Sequence, residues 1–415
     1  MINHSIKPPI ESVLNEALKI DEWINQNGWA GWDPYDIKSH NFFVKISSLP
    51  NGIFARFANS LSNQAVDLFP LTFRKIYNIQ PSINSKSLGL LLSSYCNLFK
   101  VTNNEKYLNK AIDVANWLIE NKTNQNKGIS WGYPFDWHSP IFIPKNTSTS
   151  IPTVTIGDGF YKLFEVTNDK KYINICKEIC IFFINDLKIT YNKNNAICYS
   201  YTPLDDYQVH NTNLFMGEFL TKIGKILSIN EFYDNGIKCG NFALSQQQKD
   251  GYIPYWGIDQ TNKYSNGVMH SDHYHSGFEI RALFGLWQNT RDMRFKLSYE
   301  RYLKWYIQNL FEKNMMPKFM PKSTYPIFIH SCTESIYCLA TLLPNHNELN
   351  DLLYKSYKWT TQNMQYRRGE YIHMIKKVGK IYNKKIKITM FRWAQAWMIM
   401  ALSQYLVALK EVNKN

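Results

Sequence analysis

Val101-Thr-Asn-Asn-Glu-Lys-Tyr107 comes back along the chain as Val166-Thr-Asn-Asp-Lys-Lys-Tyr172 and as Leu227-Ser-Ile-Asn-Glu-Phe-Tyr233, with a weaker copy, Asn289-Thr-Arg-Asp-Met-Arg-Phe295. The copies follow one another at intervals of about sixty residues, and some ten residues after each a large ring returns: Trp117, Phe182, Phe242 and Trp305. A period in this range is the mark of stacked helical pairs, because a single pair cannot bury its apolar face alone. The phrase itself reads as a helix–helix junction. Thr-Asn-Asp and Ser-Ile-Asn offer capping oxygens, acidic residues suit a first turn, and Tyr or Phe opens an apolar stripe.

Working outward, Tyr107 to Leu118 has apolar residues at helical spacing with Asn and Lys between them, which predicts an outer helix. Leu88 to Phe99, just before it, is apolar on all sides and predicts an inner helix screened all round. The same inner-then-outer order is predicted at 150–165 and 169–186, 211–226 and 230–247, 275–288 and 292–312, and 330–342 and 346–364. A last helix is expected over 391–411, and earlier helical regions over 10–27 and 52–78. Counting pairs gives about six, the number that closes an all-α (α/α)6 toroid. No linker or low-complexity segment divides residues 1–415, so a single toroid domain is expected, with residues 1–80 supplying the helices that complete it.

The bulk numbers agree with a large core and constrain partners. The 415 residues are 45% hydrophobic and 15% aromatic, with 12 Trp and 27 Tyr, rings that suit a wide and partly polar cavity. The net charge of +14 favours anionic partners. Lys, Asn and Ile are abundant throughout, however, and the locally basic 376–387 is too short for a nucleic-acid arm, so no nucleic acid is expected. The seven cysteines form no Cys-x-x-Cys, and Cys176 and Cys180 read as core residues on one helical face. Met1 to Pro9 lacks an apolar leader core, and no segment reaches about eighteen apolar residues. A cytoplasmic setting without a transmembrane segment is expected. Phosphate-loop, Gly-x-Gly-x-x-Gly and Gly-x-Ser-x-Gly motifs are absent from the sequence, which argues against nucleotide hydrolysis, dinucleotide redox chemistry and an α/β-hydrolase.

The connections after the outer helices carry aromatic-Pro-Gly text: Trp131-Gly-Tyr-Pro-Phe-Asp-Trp137, Tyr199-Ser-Tyr-Thr-Pro-Leu-Asp-Asp-Tyr207, Gly251-Tyr-Ile-Pro-Tyr-Trp-Gly257 and Tyr366-Arg-Arg-Gly369. Such loops cannot continue a helix and should gather at one mouth of the toroid. Polar residues concentrate where loops turn into inner helices: Asp136 and His138; Asp205, Asp206, His210, Asn211 and Asn213; His270, Asp272, His273, Tyr274 and His275, leading to Glu279 and Arg281; His330 and Glu334; and Arg392, Trp393 and Gln395. Convergence of acid, base and cation in a deep aromatic cleft is what a glycan-processing site needs. The histidine run matches no i, i+4 pair of metal ligands, so no metal is expected; a substrate-site His/Asp set and ordinary loop hydrogen bonding are the two readings. His210 and His330 read equally as structural or catalytic. Asp136, between Phe135 and Trp137, reads as a general acid raised by apolar surroundings or as a loop cap. Of Asp205 and Asp206, one is expected to face the cavity. Trp131, Tyr133, Trp137, Tyr255 and Trp256 are candidates for stacking on sugar faces.

At these junctions the chain resembles a family of bacterial polysaccharide-biosynthesis proteins of α/α-toroid fold, encoded among capsule and exopolysaccharide genes. The matching text is Trp131 to Trp137, Phe142-Ile-Pro-Lys145, Tyr199 to Asp205, Val209-His-Asn211, Asp272 to Gly277, Tyr325-Pro-Ile-Phe-Ile-His-Ser331 and Met390-Phe-Arg-Trp-Ala-Gln-Ala-Trp397. The chain departs from the family at His138-Ser-Pro140, where Gln and then Arg are expected. Asp272-His-Tyr-His275 before an amphipathic helix is, more distantly, similar to a segment of glucuronyl C5-epimerases. The resemblance implies an oligo- or polysaccharide substrate, anionic or lipid-linked, and contact with glycosyltransferases.

Three functions are weighed on this reading. The first is proton abstraction beside the carboxylate of a uronate, as an epimerase or lyase. There His275 and Tyr274 are base and acid, Asp272, His330 and Glu334 assist, Arg392 and Asn211 hold the carboxylate, and Trp393 and Gln395 complete the binding wall. No cofactor is expected. The second is a hydrolase using Asp136 with Asp272 or Asp206. The third is a glycan-binding toroid without catalysis.

Overall fold

The computed structural model describes residues 10–47, 53–123, 126–138, 140–265, 267–379 and 382–413. The leader reading of Met1 to Pro9, Ser139 of the departing motif and Lys380-Ile381 of the basic run lie outside the described residues. In chain order the helices are α1 (Ile10–Asn27), α2 (Asn41–Ser47), α3 (Ile53–Leu68), α4 (Pro70–Ile76), α5 (Ser85–Thr102), α6 (Glu105–Glu120), α7 (Ser150–Thr167) and α8 (Lys170–Asn185). They continue as α9 (His210–Leu227), α10 (Asn230–Gln246), α11 (Thr261–Ser265), α12 (His273–Thr290), α13 (Met293–Asn309), α14 (Ile329–Leu342), α15 (Asn350–Met364) and α16 (Trp397–Val412).

Burial pattern sorts these into two layers. In α5 every residue from Ser85 to Leu98 is buried, whereas α6 buries only the stripe Tyr107, Ala111, Val114, Ala115 and Leu118. The inner helices α5, α7, α9, α12, α14 and α16 pack each on the next, and α16 packs back on α5. The ring is an α/α toroid. The close approach of α5 to α7 needs Gly89, where an added Cβ would lie 2.9 Å from the backbone of Ile156. Outside it α6, α8, α10, α13 and α15 each pack on the inner helix that precedes them, and the outer partner of α16 is α1. Val13, Ala17, Ile20 and Ile24 are the buried apolar residues of α1. Polar contacts carry α1 across to α6, where Lys106 Nζ lies 3.2 Å from the buried Asp21 and Lys110 also binds it.

The repeated phrase is a one-residue turn. Asn103, Asn168, Ser228 and Arg291 follow the inner helices with φ of 54°, 56°, 55° and 61°. Their N–H groups donate to the carbonyls of Phe99, Phe164, Gly224 and Trp287. Asn is among the residues best suited to this left-handed geometry. The next residue caps the outer helix: Asn104, Asp169 and Asp292 each accept the N–H two residues on, at 3.0, 2.9 and 2.9 Å. The third copy differs from expectation. Ile229 occupies the cap position of α10 and offers no side-chain oxygen, because Asn230 already sits inside the helix.

The ring is helical as expected, and short antiparallel ribbons appear in its connections: Trp137–His138 with Phe142–Ile143, Ile189–Lys193 with Ala196–Tyr199, and Met374–Val378 with Tyr382–Ile386. The described part of residues 1–80 divides in two. While α1 joins the ring, α2 to α4 lie beside its mouth, tied there by Arg74, which donates to Asp36 at 2.6 Å and to the Asp33 carbonyl at 2.8 Å. All seven cysteines are buried thiols, Cys176 and Cys180 among them. No described helix is long and apolar enough to cross a membrane.

Candidate functional site

The N-terminal turns of the inner helices, and the loops that lead into them, surround a cavity. Lys86 comes from α5, Ile151 from α7, Asn211 from α9, Tyr274, His275 and Phe278 from α12, and His330 from α14. Arg392 and Trp393 come from a π-turn, Arg392–Ala396, that leads into α16. Loop residues Tyr35, Tyr133, Phe135, Trp137, Tyr201 and Tyr255 form the aromatic wall. Five helix N-termini and the π-turn that leads into α16 therefore border one space, and each helix brings the positive end of its dipole.

Asp272 does two jobs at the start of α12. One oxygen accepts the His275 backbone N–H at 3.0 Å and caps the helix; the other lies 2.6 Å from His275 Nδ1. The second contact places the proton on Nδ1 and leaves Nε2 as the basic nitrogen of a ring that lines the cavity. Burial pushes the Asp272 carboxyl up, but the His275 ring and N–H donors reverse this and hold it below the ordinary carboxylate range. The rest of the histidine run scatters. His273 turns into the core against Tyr306 and Ser335, and His270 meets the Val268 carbonyl. Among the described residues no three His, Cys, Asp or Glu side chains group as a metal site.

Tyr274 stands between two imidazoles, its ring 4.3 Å from that of His275 and 4.6 Å from that of His330. Burial pushes its hydroxyl well up, so it stays protonated. His330 is stacked on Trp393 at 4.8 Å, and burial, with Arg392 adding, keeps it neutral. Arg392 is locked by Asp33, with Nε to Oδ2 at 2.6 Å and Nη2 to Oδ1 at 2.9 Å, and its guanidinium lies 5.3 Å from the Tyr133 ring.

Several expected residues go elsewhere. Asp136 accepts the Lys145 N–H at 2.8 Å, as a loop cap would, and lies outside the cavity lining. Asp205 is consumed by the N–H groups of Tyr201, Thr202 and Tyr207 and the Thr202 hydroxyl; it shapes the loop that presents Tyr201. Asp206 is exposed beside Lys263 and Tyr264. Trp131 is core, its Nε1 donating to the Leu118 carbonyl at 2.9 Å. Trp256 packs on Tyr207 and Tyr264 behind the wall, and His210 stacks on Phe242 with 0% exposure. Gln395 ties the Gly369 carbonyl, and Glu334 takes Arg281 in a buried two-point pair at 2.7 and 3.1 Å. Asp136, Asp205, Asp206, Trp131, Gln395 and Glu334 turn away because each has a nearby polar partner or counter-charge to satisfy, which spacing alone does not reveal.

Sequence reasoning missed Lys86, Asp33, Tyr35, Tyr201 and Phe278. One signal was available for Lys86. It stands at the loop-to-helix junction of an otherwise apolar inner helix, the same place in the repeat as the other candidates.

No family model and no curated sequence matches the chain. Solved structures do resemble it in fold. A cellobiose 2-epimerase from Bacillus thermoamylovorans superposes with a TM-score of 0.60 at 11% identity, over 80% of this chain and 90% of that one. An unsaturated glucuronyl hydrolase specific for heparin gives 0.60 at 12% identity, over 98% of each chain. A sugar epimerase from a ruminal bacterium gives 0.60 at 10% identity, over 95% of this chain and 98% of that one. Likeness at such identities is a likeness of fold.

Proposed function

We propose that this protein is a carbohydrate-active enzyme that moves a proton at a sugar carbon beside a carboxylate, acting on a uronate-containing glycan of bacterial surface-polysaccharide biosynthesis. The observation that carries this reading is the Asp272–His275 pair beside a cavity whose lining holds two imidazoles, five tyrosines, a lysine and an arginine but, among the described residues, no carboxylate. Two-carboxylate hydrolysis needs a pair of acidic groups at the scissile bond, and Asp136, Asp206 and Asp272 do not reach the lining as such a pair. The fold's company of sugar epimerases and glycosyl hydrolases supports a sugar substrate without choosing the reaction.

In this proposal His275 Nε2 takes the proton from C5, and the electron pair left behind spreads into the carboxylate as an enolate. Arg392 and Asn211 hold that developing charge. Return of a proton from Tyr274 to the opposite ring face gives the C5 epimer, and His330, neutral beside it, accepts or supplies the proton in turn. Loss of an oxygen substituent from C4 instead gives a 4,5-double bond.

The test is proton NMR of uronate oligosaccharides with the enzyme in deuterated water, alongside His275→Ala. Deuterium at C5 without cleavage, lost in the variant, is the expected result; vinylic signals would mark the eliminating form. Cleavage with neither signature would sink the proposal in favour of hydrolysis. Binding with no change in any glycan would leave a binding toroid.

A further inference from the structure

Lys86 is the second residue of α5 and is 5% exposed, yet its ammonium makes no hydrogen bond or ion pair among the described residues. Its ammonium lies over two ring faces, Trp397 at 5.5 Å and Phe278 at 5.9 Å. The charged groups around it are already matched. Asp33 is taken by Arg392 at 2.6 Å, Glu334 by Arg281 at 2.7 Å, and Asp158, below it on α7, by Lys222 at 3.0 Å. His330 beside it is neutral. A buried cation without a counter-ion is costly. Burial, with Arg392 and Arg281 adding and Asp33 and Glu334 opposing, accordingly draws the Lys86 ammonium well below the ordinary lysine range. The Nη1 edge of Arg392 also makes no hydrogen bond among the described residues, and both side chains line the same cavity.

We infer that Lys86, with the open edge of Arg392, is the anion-recognising group of this cavity. It binds the charged group of an acidic sugar and takes one proton from solvent as the anion arrives. The chemistry is that of a missing counter-charge, which a sugar carboxylate or a sugar phosphate would supply equally. This rests on the acidic-sugar reading above and adds the residue that selects for it. It also has a consequence for pH: affinity for the anion falls as the solution becomes alkaline, because the proton needed for the pair becomes scarce.

The test is titration calorimetry of the full chain with glucuronate, glucose 1-phosphate and glucose, each in two buffers of different ionisation enthalpy, from pH about 6 to about 9. Wild type should bind at least one of the acids more tightly than glucose, with uptake approaching one proton at the alkaline end. Which acid binds tells carboxylate from phosphate. Lys86→Met should weaken the acid by roughly 10- to 100-fold, leave glucose unchanged and abolish the uptake, whereas Lys86→Arg should restore binding without uptake. Thermal melts of both variants establish that they fold. Unchanged acid binding in a folded Lys86→Met, binding without proton uptake at every pH, or no preference for either acid would overturn the inference. Deuterium exchange at C5 is read separately. Exchange with no role for Lys86 removes this inference alone, and a Lys86-dependent anion site without exchange removes only the proposed reaction.

Discussion

At the scale of single residues, the site turns on side chains that serve two ends. Asp272 caps α12 and orients His275, and the two roles separate by substitution. Asn caps a helix as well as Asp does, so Asp272→Asn should keep its melting temperature but lose the charge that supports a protonated imidazole. Under the proposed reaction, C5 exchange should fall by roughly 10²- to 10⁴-fold; equal losses of stability and exchange would make Asp272 a structural cap only. Other histidines bear on pH. Burial holds His210 at about 4 and His273 and His373 at about 3, all below the unfolded value. The unfolded chain therefore binds more protons than the folded one between roughly pH 6.5 and pH 4. Stability should be full above that window and fall through it on acidification. Each such histidine adds up to about 1.4 kcal/mol per pH unit. Urea titrations of His210→Phe should give a slope shallower by one proton, and an unchanged slope would refute the assignment. Membership of the cavity lining was readable for His275, Tyr274, His330, Asn211 and Arg392, since all stand at junctions that converge. It was unreadable for Asp205, Trp256 and Gln395, whose partners lie in loops that spacing does not position.

At the scale of elements, the junctions carry most of the local information. The Thr102, Thr167 and Thr290 hydroxyls each donate to the carbonyl four residues back, and each accepts the N–H of the cap residue two positions on. A short polar phrase thus ends one helix, turns and starts the next. Asn104→Ala should cost about 1 kcal/mol by removing the cap of α6. Asn230→Ala, in the copy where the side chain is exposed and caps nothing, should stay within about 0.5 kcal/mol. Equal costs in denaturant melts would contradict the one-residue shift between these copies. The phrase was legible because turn chemistry is short-range. The shift at 227–233 was not, since Ser228 and Asn230 are both plausible capping residues by type.

At the scale of the whole molecule, the ring is closed by contacts rather than by the chain. The first described helix, α1, supplies the outer layer for the last, α16, and the two are held together by buried apolar surface, while Asp21 with Lys106 and Lys110 ties α1 to α6. Ile20→Ala, at a fully buried position on that face, should cost about 2–5 kcal/mol. If the ring is one cooperative unit, the loss should appear in every spectroscopic probe at once. An early separate transition confined to α1 would instead mean that the toroid stands without its sixth outer helix.

By itself the sequence determined the helices, their inner and outer order, the number of pairs and the junctions from which a site could be drawn. These follow from periodicity and capping, which act over a few residues. Only the tertiary structure decided that α1 closes the ring, which junction side chains reach the cavity, and that Lys86 stands there without a counter-ion while Asp33 and Glu334 are already taken by arginines. Those outcomes depend on competition for hydrogen bonds and charge among segments as much as 359 residues apart. A local pattern contains no record of such competition.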